Sequence, residues 1–324
     1  MHFLKKPFVY ALIFSLILIS CSSYVLLDTF VIPHTISAAV SEEDHSVTGK
    51  RKAAGATAGD ESGTTQEKEQ EDAGQDAVIT DTSYKDDNIS ITLKTIEAYD
   101  TTVYIADVEL SSAEYLKTAL AQDSYGTNIT ETTSSQAESH QAILAVNGDY
   151  YGADKSGYVI KNGQIYRNSV RLDSEYDDLV VYEDGTFGII NEEEVSAEEL
   201  TEEGVTQLFA FGPSLVEDGN ITVSQKDEVG KAMASNPRTA IGVIGDLHYL
   251  FVVADGRTSE SEGLSLYELA QIMQKYGCIT AYNLDGGGSS TLYFNGQVMN
   301  KPTTNGHSFG ERGVSDIVYI GYKN

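Results

Sequence analysis

Four turn dipeptides restrict what this chain can fold into more than any other feature. They are the Asn-Gly and Asp-Gly pairs of YVIKNGQIYR (158–167), VVYEDGTFGII (180–190), LVEDGNITV (215–223) and TLYFNGQVM (291–299). Each pair tolerates the positive φ that tight hairpins require, and each lies between strand-like flanks. Four hairpins in one chain imply a sheet built mainly from antiparallel neighbours. Two further runs, ISITLKTI (89–96) and TTVYIADVEL (101–110), alternate apolar and polar residues as half-buried strands do. AILAVNG (142–148), TAIGVIG (239–245), LHYLFVVADG (247–256), CITAYNL (278–284) and DIVYIGY (316–322) are almost wholly apolar and read as core strands.

Helical patterning is sparse. GLSLYELAQIMQKYG (263–277) sets Leu264, Leu266, Leu269, Ile272 and Met273 on one face, with Gly277 placed to end it. AEYLKTALA (113–121) and the stretch around 130–141 are also expected to be helical. The fold class is therefore α+β: a mixed, largely antiparallel sheet with several hairpins and a few packing helices, forming one globular domain over 84–324.

What precedes that domain has a different texture. MHFLKK is followed by an apolar run from Pro7 to Ile32, long enough to cross a bilayer. The run continues past any small-residue cleavage site, so residues 1–32 are expected to be a cytoplasmic tip and an uncleaved transmembrane anchor. Lys5 and Lys6 precede it and favour a cytoplasmic N-terminus with the domain outside. Leu18-Ile19-Ser20-Cys21 also has the form of a lipoprotein processing site, which would leave a lipidated Cys21 as the alternative anchor. Residues 33–83 are rich in Ala, Gly, Ser, Thr and acid and read as a disordered stalk.

The formal net charge is −28, most of it beyond residue 80. Such an acidic surface repels polyphosphate backbones, so nucleic acid is not an expected partner. Cys21 and Cys278 lie far apart in sequence, one in the apolar run and one beside a core strand, and no disulfide is expected.

Several strand ends carry groups that could do chemistry. Asp285 is followed by Gly286, Gly287, Gly288, Ser289 and Ser290, where backbone amides and hydroxyls could converge on an anion. The stretch is neither a P-loop, for want of the Lys, nor a dinucleotide fingerprint, for want of a following helix; seen alone it is as readily a tight turn. Asn147-Gly148-Asp149-Tyr150-Tyr151 combines a carboxamide, a carboxylate and two aromatics, a set suited to sugars. Arg238 opens a core strand and Arg312 follows Glu311 before the last strand; either guanidinium could hold a phosphate or simply pair with a surface acid. Asp255 and Arg257 end another core strand, and His307 lies in a loop; these are second-rank candidates. No zinc pattern is present, and a hard cation on Asp149, Asp255 or Asp285 is allowed but not demanded, so no cofactor is expected.

Taken in order, NGDYYG, FAFGPSLV, NPRTAIG, ADGR, LDGGGSSTL and ERGVSD resemble the phosphodiester glycosidase family over roughly residues 100–322. The anchor, stalk and domain arrangement is similar to bacterial members related to exopolysaccharides. The resemblance implies a hydrolase that cleaves the bond between a sugar C1 and a phosphodiester oxygen in an envelope or exopolysaccharide-type glycan. It implies catalytic roles among Asp149, Asp285 and Glu311, with Asn147, Arg238, Gly286–Gly288, Ser289, Ser290 and Arg312 holding sugar and phosphate. Two other readings stay open: a non-catalytic surface module that binds anionic glycans, and a structural envelope or spore protein.

Overall fold

The computed structural model describes residues 7–36, 77–172, 177–226 and 235–322. Every strand pair among them is antiparallel. Three of the four hairpin pairs hold both turn residues at positive φ: Asn162 and Gly163, Asp218 and Gly219, and Asn295 and Gly296. In the fourth only Gly185 does, because Tyr182 N–H bonds Thr186 O and lengthens the turn by one residue.

Two sheets face one another. The larger has nine strands, running from Asn220–Ile221 at one edge through Ser214–Glu217, Thr280–Asn283, Arg238–Gly245, His248–Ala254, Thr101–Leu110, Ile89–Ala98 and Ser83–Lys85 to Val78–Thr80. The smaller has five: Gln297–Val298, Leu292–Phe294, Leu144–Asn147, Asp316–Ile320 and Leu116–Leu120. A three-stranded sheet of Phe187–Ile190, Asp178–Tyr182 and Val205–Phe209 closes the side. Strand alternation explains the layering. Tyr249, Phe251 and Val253 meet Leu144, Val146, Val318 and Ile320 in the shared core. The intervening Leu250, Val252 and Ala254 turn outward to α4 (Leu266–Lys275), which covers the far face. Ala145, Ile317 and Tyr319 likewise turn to α2 (Thr133–Ser139). Both faces of these strands are buried, which is why their sequences run apolar without a break.

Three elements differ from the sequence expectations. Residues 113–121 do not form a helix: one 3-10 turn, Ala113–Tyr115, leads into the strand Leu116–Leu120. That strand pairs with Asp316–Ile320 and buries Leu116, Ala119 and Leu120, so sheet closure outweighs local helix preference. A short helix α3 (Ala197–Glu202) stands where none was expected, started by a capping box between Ser196 and Glu199. Finally, Val78–Thr80 and Ser83–Lys85 extend the large sheet inside the segment assigned to the stalk. His34–Thr35, also in that segment, pairs with Gly126–Thr127, and residues 37–76 lie outside the described residues. The apolar run forms α1 (Pro7–Phe30), whose portion Leu12–Phe30 has mean hydropathy 1.8 and is long and apolar enough to span a membrane.

Candidate active site

The strand ends singled out in the sequence converge where the two sheets meet. Asn147, at the end of Leu144–Asn147, is fully buried and acts as the clasp. Its Nδ2 donates to Asp285 O at 2.6 Å, and its Oδ1 accepts from Thr239 Oγ1 at 2.8 Å. Gly148 O accepts from Asp285 N at 3.3 Å, and Gly148 N donates to Asp316 O at 2.9 Å. A side chain at Gly148 would strike the Asp316 carboxylate at 2.4 Å, so the glycine is what lets three chain segments lie together.

Two acid clusters result. The inner one is closed. Lys161 Nζ sits 2.7 Å from Asp316 Oδ2, 3.6 Å from Asp149 Oδ2 and 3.2 Å from Leu208 O, over the Phe209 ring. All three charged side chains are at most 2% exposed. Asp149 also accepts from Tyr151 N and Ala210 N, both at 3.1 Å. Burial pushes the Asp316 carboxyl up to about 7, against the pull of Lys161. Burial opposes the Lys161 charge, but Asp149 and Asp316 outweigh it and hold the ammonium above its ordinary pKa.

The outer cluster is reached from solvent. Asp285 Oδ2 accepts from Arg312 Nη2 and from Ser289 Oγ, each at 2.6 Å, and Arg312 also bonds Ser289 Oγ. The Arg312 side chain is 40% exposed, and its guanidinium lies 5.9 Å from the centre of the exposed Tyr150 ring. Arg257 lies against the glycine turn, within 2.8 Å of where a Gly287 side chain would sit. Its backbone is left-handed at φ 64°, uncommon outside glycine. Burial lowers the Arg257 pKa, Arg312 lowers it further, and Asp285 offsets part of this. Burial raises Asp285, with Arg312 opposing. Arg312 thus pairs with a buried carboxylate from a half-exposed rim, while Arg257, whose donors go to Asn236 Oδ1 and Thr304 O, adds a second positive charge close enough to feel both, an arrangement suited to an anion.

The glycines are packed more tightly than an open cradle would be. Gly287 N donates to Pro237 O at 2.8 Å, the Gly286 amide bonds Asp285's own carboxylate, and a side chain at Gly288 would strike Thr304 Oγ1 at 2.3 Å. Ser290 is fully buried, with its hydroxyl unpartnered among the described residues.

Other candidates are placed elsewhere. Arg238 is 3% exposed and its Nε donates to Leu264 O at 2.9 Å, so the Asn-Pro-Arg stretch reaches the site differently. Asn236 Oδ1 accepts from Arg257 Nε and Nη2, at 3.1 and 3.0 Å, and Pro237 O supports the glycine turn. Glu311 accepts from Ser134 N at 2.9 Å and from its hydroxyl, capping α2. Asp255 accepts from Lys301 N, Asn300 Nδ2 and Tyr104 OH and ties loops together, its pKa raised by burial. His307 is exposed. Among the described residues, no group of three or more His, Cys, Asp or Glu side chains is arranged to hold a metal. A cleft of about 530 Å³ between the Asp184–Phe187 and Gly245–Leu247 turns lies at the far end of the strand that Arg238 opens, away from both clusters.

Sequence reasoning missed Lys161 and Asn236. Lys161 directly precedes an Asn-Gly turn, where lysine is ordinarily solvated; only the pairing of the hairpin with its neighbours turns it inward.

The chain is similar to several known proteins. The chain is 30% identical over 201 residues to the SPβ prophage-derived uncharacterized protein YomE of Bacillus subtilis strain 168, covering 61% of this chain and 31% of that one. It is 29% identical over 189 residues to human N-acetylglucosamine-1-phosphodiester alpha-N-acetylglucosaminidase, covering 53% and 36%. The chain therefore spans about a third of the length of these curated relatives. The catalytic domain of the zebrafish enzyme, auto-inhibited by its pro-peptide, shares the fold with a TM-score of 0.57 at 21% identity, over 72% of this chain and 83% of that one. A model of the phosphodiester glycosidase family matches residues 140–321, more than half of the chain and all of the residues of both clusters, and the chain belongs to that family.

Proposed function

We propose that the protein hydrolyses sugar-1-phosphodiesters on the outer side of a membrane, with Asp285, Arg257 and Arg312 at the reacting bond. The observation that supports this reading is the half-exposed Arg312 paired with Asp285, with the Arg257 guanidinium held nearby against the glycine turn by Asn236 and Thr304. In the reaction the C1–O bond breaks, water supplies the new hydroxyl at C1, and the phosphomonoester departs. A phosphate leaving group needs little protonation, so the demand falls on binding the departing anion and on stabilising an oxocarbenium-like C1. Arg257 and Arg312 answer the first demand, and the Asp285 carboxylate the second. Tyr150 offers an apolar ring face to the sugar. Asp149 serves from behind, holding the strand end on which Tyr150 and the Asp285 contact depend.

The anchor reading belongs to the same proposal. Lys5 and Lys6 precede α1, which favours a cytoplasmic N-terminus and an external domain. The test is release of free sugar from a sugar-1-phosphodiester by the purified full-length protein. Asp285→Asn and Arg312→Ala proteins that keep the wild-type melting temperature are expected to lose that release; wild-type rates in both would remove the chemistry from this cluster.

A further inference from the structure

The end of α1 does not simply lead into a tether. His34–Thr35 adds a short antiparallel strand to Gly126–Thr127, and Ile36 N donates to Tyr125 O at 2.9 Å. Asn128 Nδ2 donates to Thr29 O at 3.2 Å and Ile32 O at 3.1 Å, satisfying carbonyls at the helix end that have no partner within the helix. Two residues of the domain have chemistry used by this contact. Asn128 takes the left-handed backbone at φ 59°, which aims its carboxamide at α1. Gly126 is not at positive φ, yet a side chain there would lie 1.9 Å from His34 O. Its missing Cβ serves the approach of the juxtamembrane strand.

The contact is close to both the membrane and the site. Three residues lie between Phe30 and His34, a span of at most about 14 Å of chain, so Tyr125–Asn128 lies near the level of the headgroups if α1 spans the bilayer. On its other side the strip touches the elements that bear the site. The Tyr125 ring stacks on Tyr151 at 5.5 Å between centres, two residues beyond Asp149. A side chain at Gly152 would meet both Ser315 and Gly126 O. Glu131 pairs with Val314, two residues beyond Arg312.

We infer that residues 28–36 and 125–128 form a clasp that holds the domain against the membrane face, so that its substrates are sugar-1-phosphodiesters carried by lipids of the same bilayer. The substrate half rests on the hydrolase reading above; the clasp itself does not. Holding enzyme and substrate in one surface raises their effective concentration without any new contact.

Full-length protein in phosphatidylglycerol and phosphatidylethanolamine liposomes tests both halves. A donor dye on Lys155→Cys, with an acceptor in the headgroups, should show strong energy transfer in the otherwise native protein. Gly126→Val and, separately, the milder Asn128→Ala should lower it. Equal transfer in all three proteins would overturn the clasp. Turnover is read with two matched diesters of N-acetylglucosamine-1-phosphate, a hexadecyl ester embedded in the liposomes and a methyl ester in solution. The expected result is a loss of about tenfold or more on the hexadecyl ester in both variants, with the methyl ester turned over at the native rate. An equal effect on both esters, or none on either, overturns the lipid-borne substrate. Failure of the native protein on both esters counts against the hydrolase reading, while the energy-transfer result still decides the clasp.

Discussion

The two acid clusters are built from the same residue types within one connected network, yet they are opposites. Around Lys161, two carboxyl groups share one ammonium, all sealed from water inside the fold. Around Asp285, one buried carboxylate pairs with Arg312, whose side chain is 40% exposed, and a second guanidinium, Arg257, lies nearby. Ion pairs of the first kind are costly to break, because removing one partner strands a charge in a poorly solvating interior. In the second only Asp285 is buried, and the exposed Arg312 can exchange its partner at lower cost than the sealed Lys161 can, as the proposed anion site would require. The contrast teaches that burial, more than residue type, separates scaffold from chemistry here. Asn147 and Gly148 join the two, and the outer cluster inherits its rigidity from the inner one.

The sharpest way to break this contrast is Asp285→Asn. Sugar release is expected to fall by about 10²–10³-fold, the range for removing one group that stabilises charge in the transition state, while the thermal unfolding temperature changes little. The reverse profile is expected for Lys161→Met. Two buried carboxylates left without their cation should cost about 3–5 kcal/mol, read by urea unfolding; a small change would mean that water reaches the inner cluster.

A third test uses pH. The folded-state Asp316 carboxyl titrates near 7 against an ordinary 3.8. Its contribution to stability is therefore greatest at low pH and is lost as pH rises from about 4 through 7. The unfolding free energy of the native protein should therefore fall relative to that of Asp316→Asn as pH rises across that window, and a pH-independent difference would contradict the assignment. Next in size is Asn147→Ala, which removes the bond to Asp285 O and leaves buried groups unpaired. It should cost about 1–3 kcal/mol and also lower turnover, since it touches both clusters. Smallest is Glu311→Gln, which weakens the cap of α2 by about 1 kcal/mol or less and leaves turnover unchanged; a large loss of activity there would return Glu311 to the catalytic set.

Much of the architecture was decided locally. Asn-Gly and Asp-Gly pairs fix hairpins through the φ they permit, and the apolar stripe with the Ser265 capping box fixes α4, because both devices act within a few residues. The positions of the candidate residues were also legible, as Asn147 and Asp285 stand at the ends of core strands and Arg312 just before the last one. Three matters were settled only by the tertiary structure. Leu116–Leu120 became a strand because Asp316–Ile320 offered it a ladder and a core. Arg257 rather than Arg238 reached the rim because Leu264 O and the packing of the large sheet bound the latter. Lys161 became the buried counter-ion of Asp149 and Asp316, although 155 residues separate it from Asp316 in the chain. A sequence states which charges a protein carries; their mutual distances and their access to water come from contacts between segments far apart in the chain, and these decide which charges hold the fold and which meet a ligand.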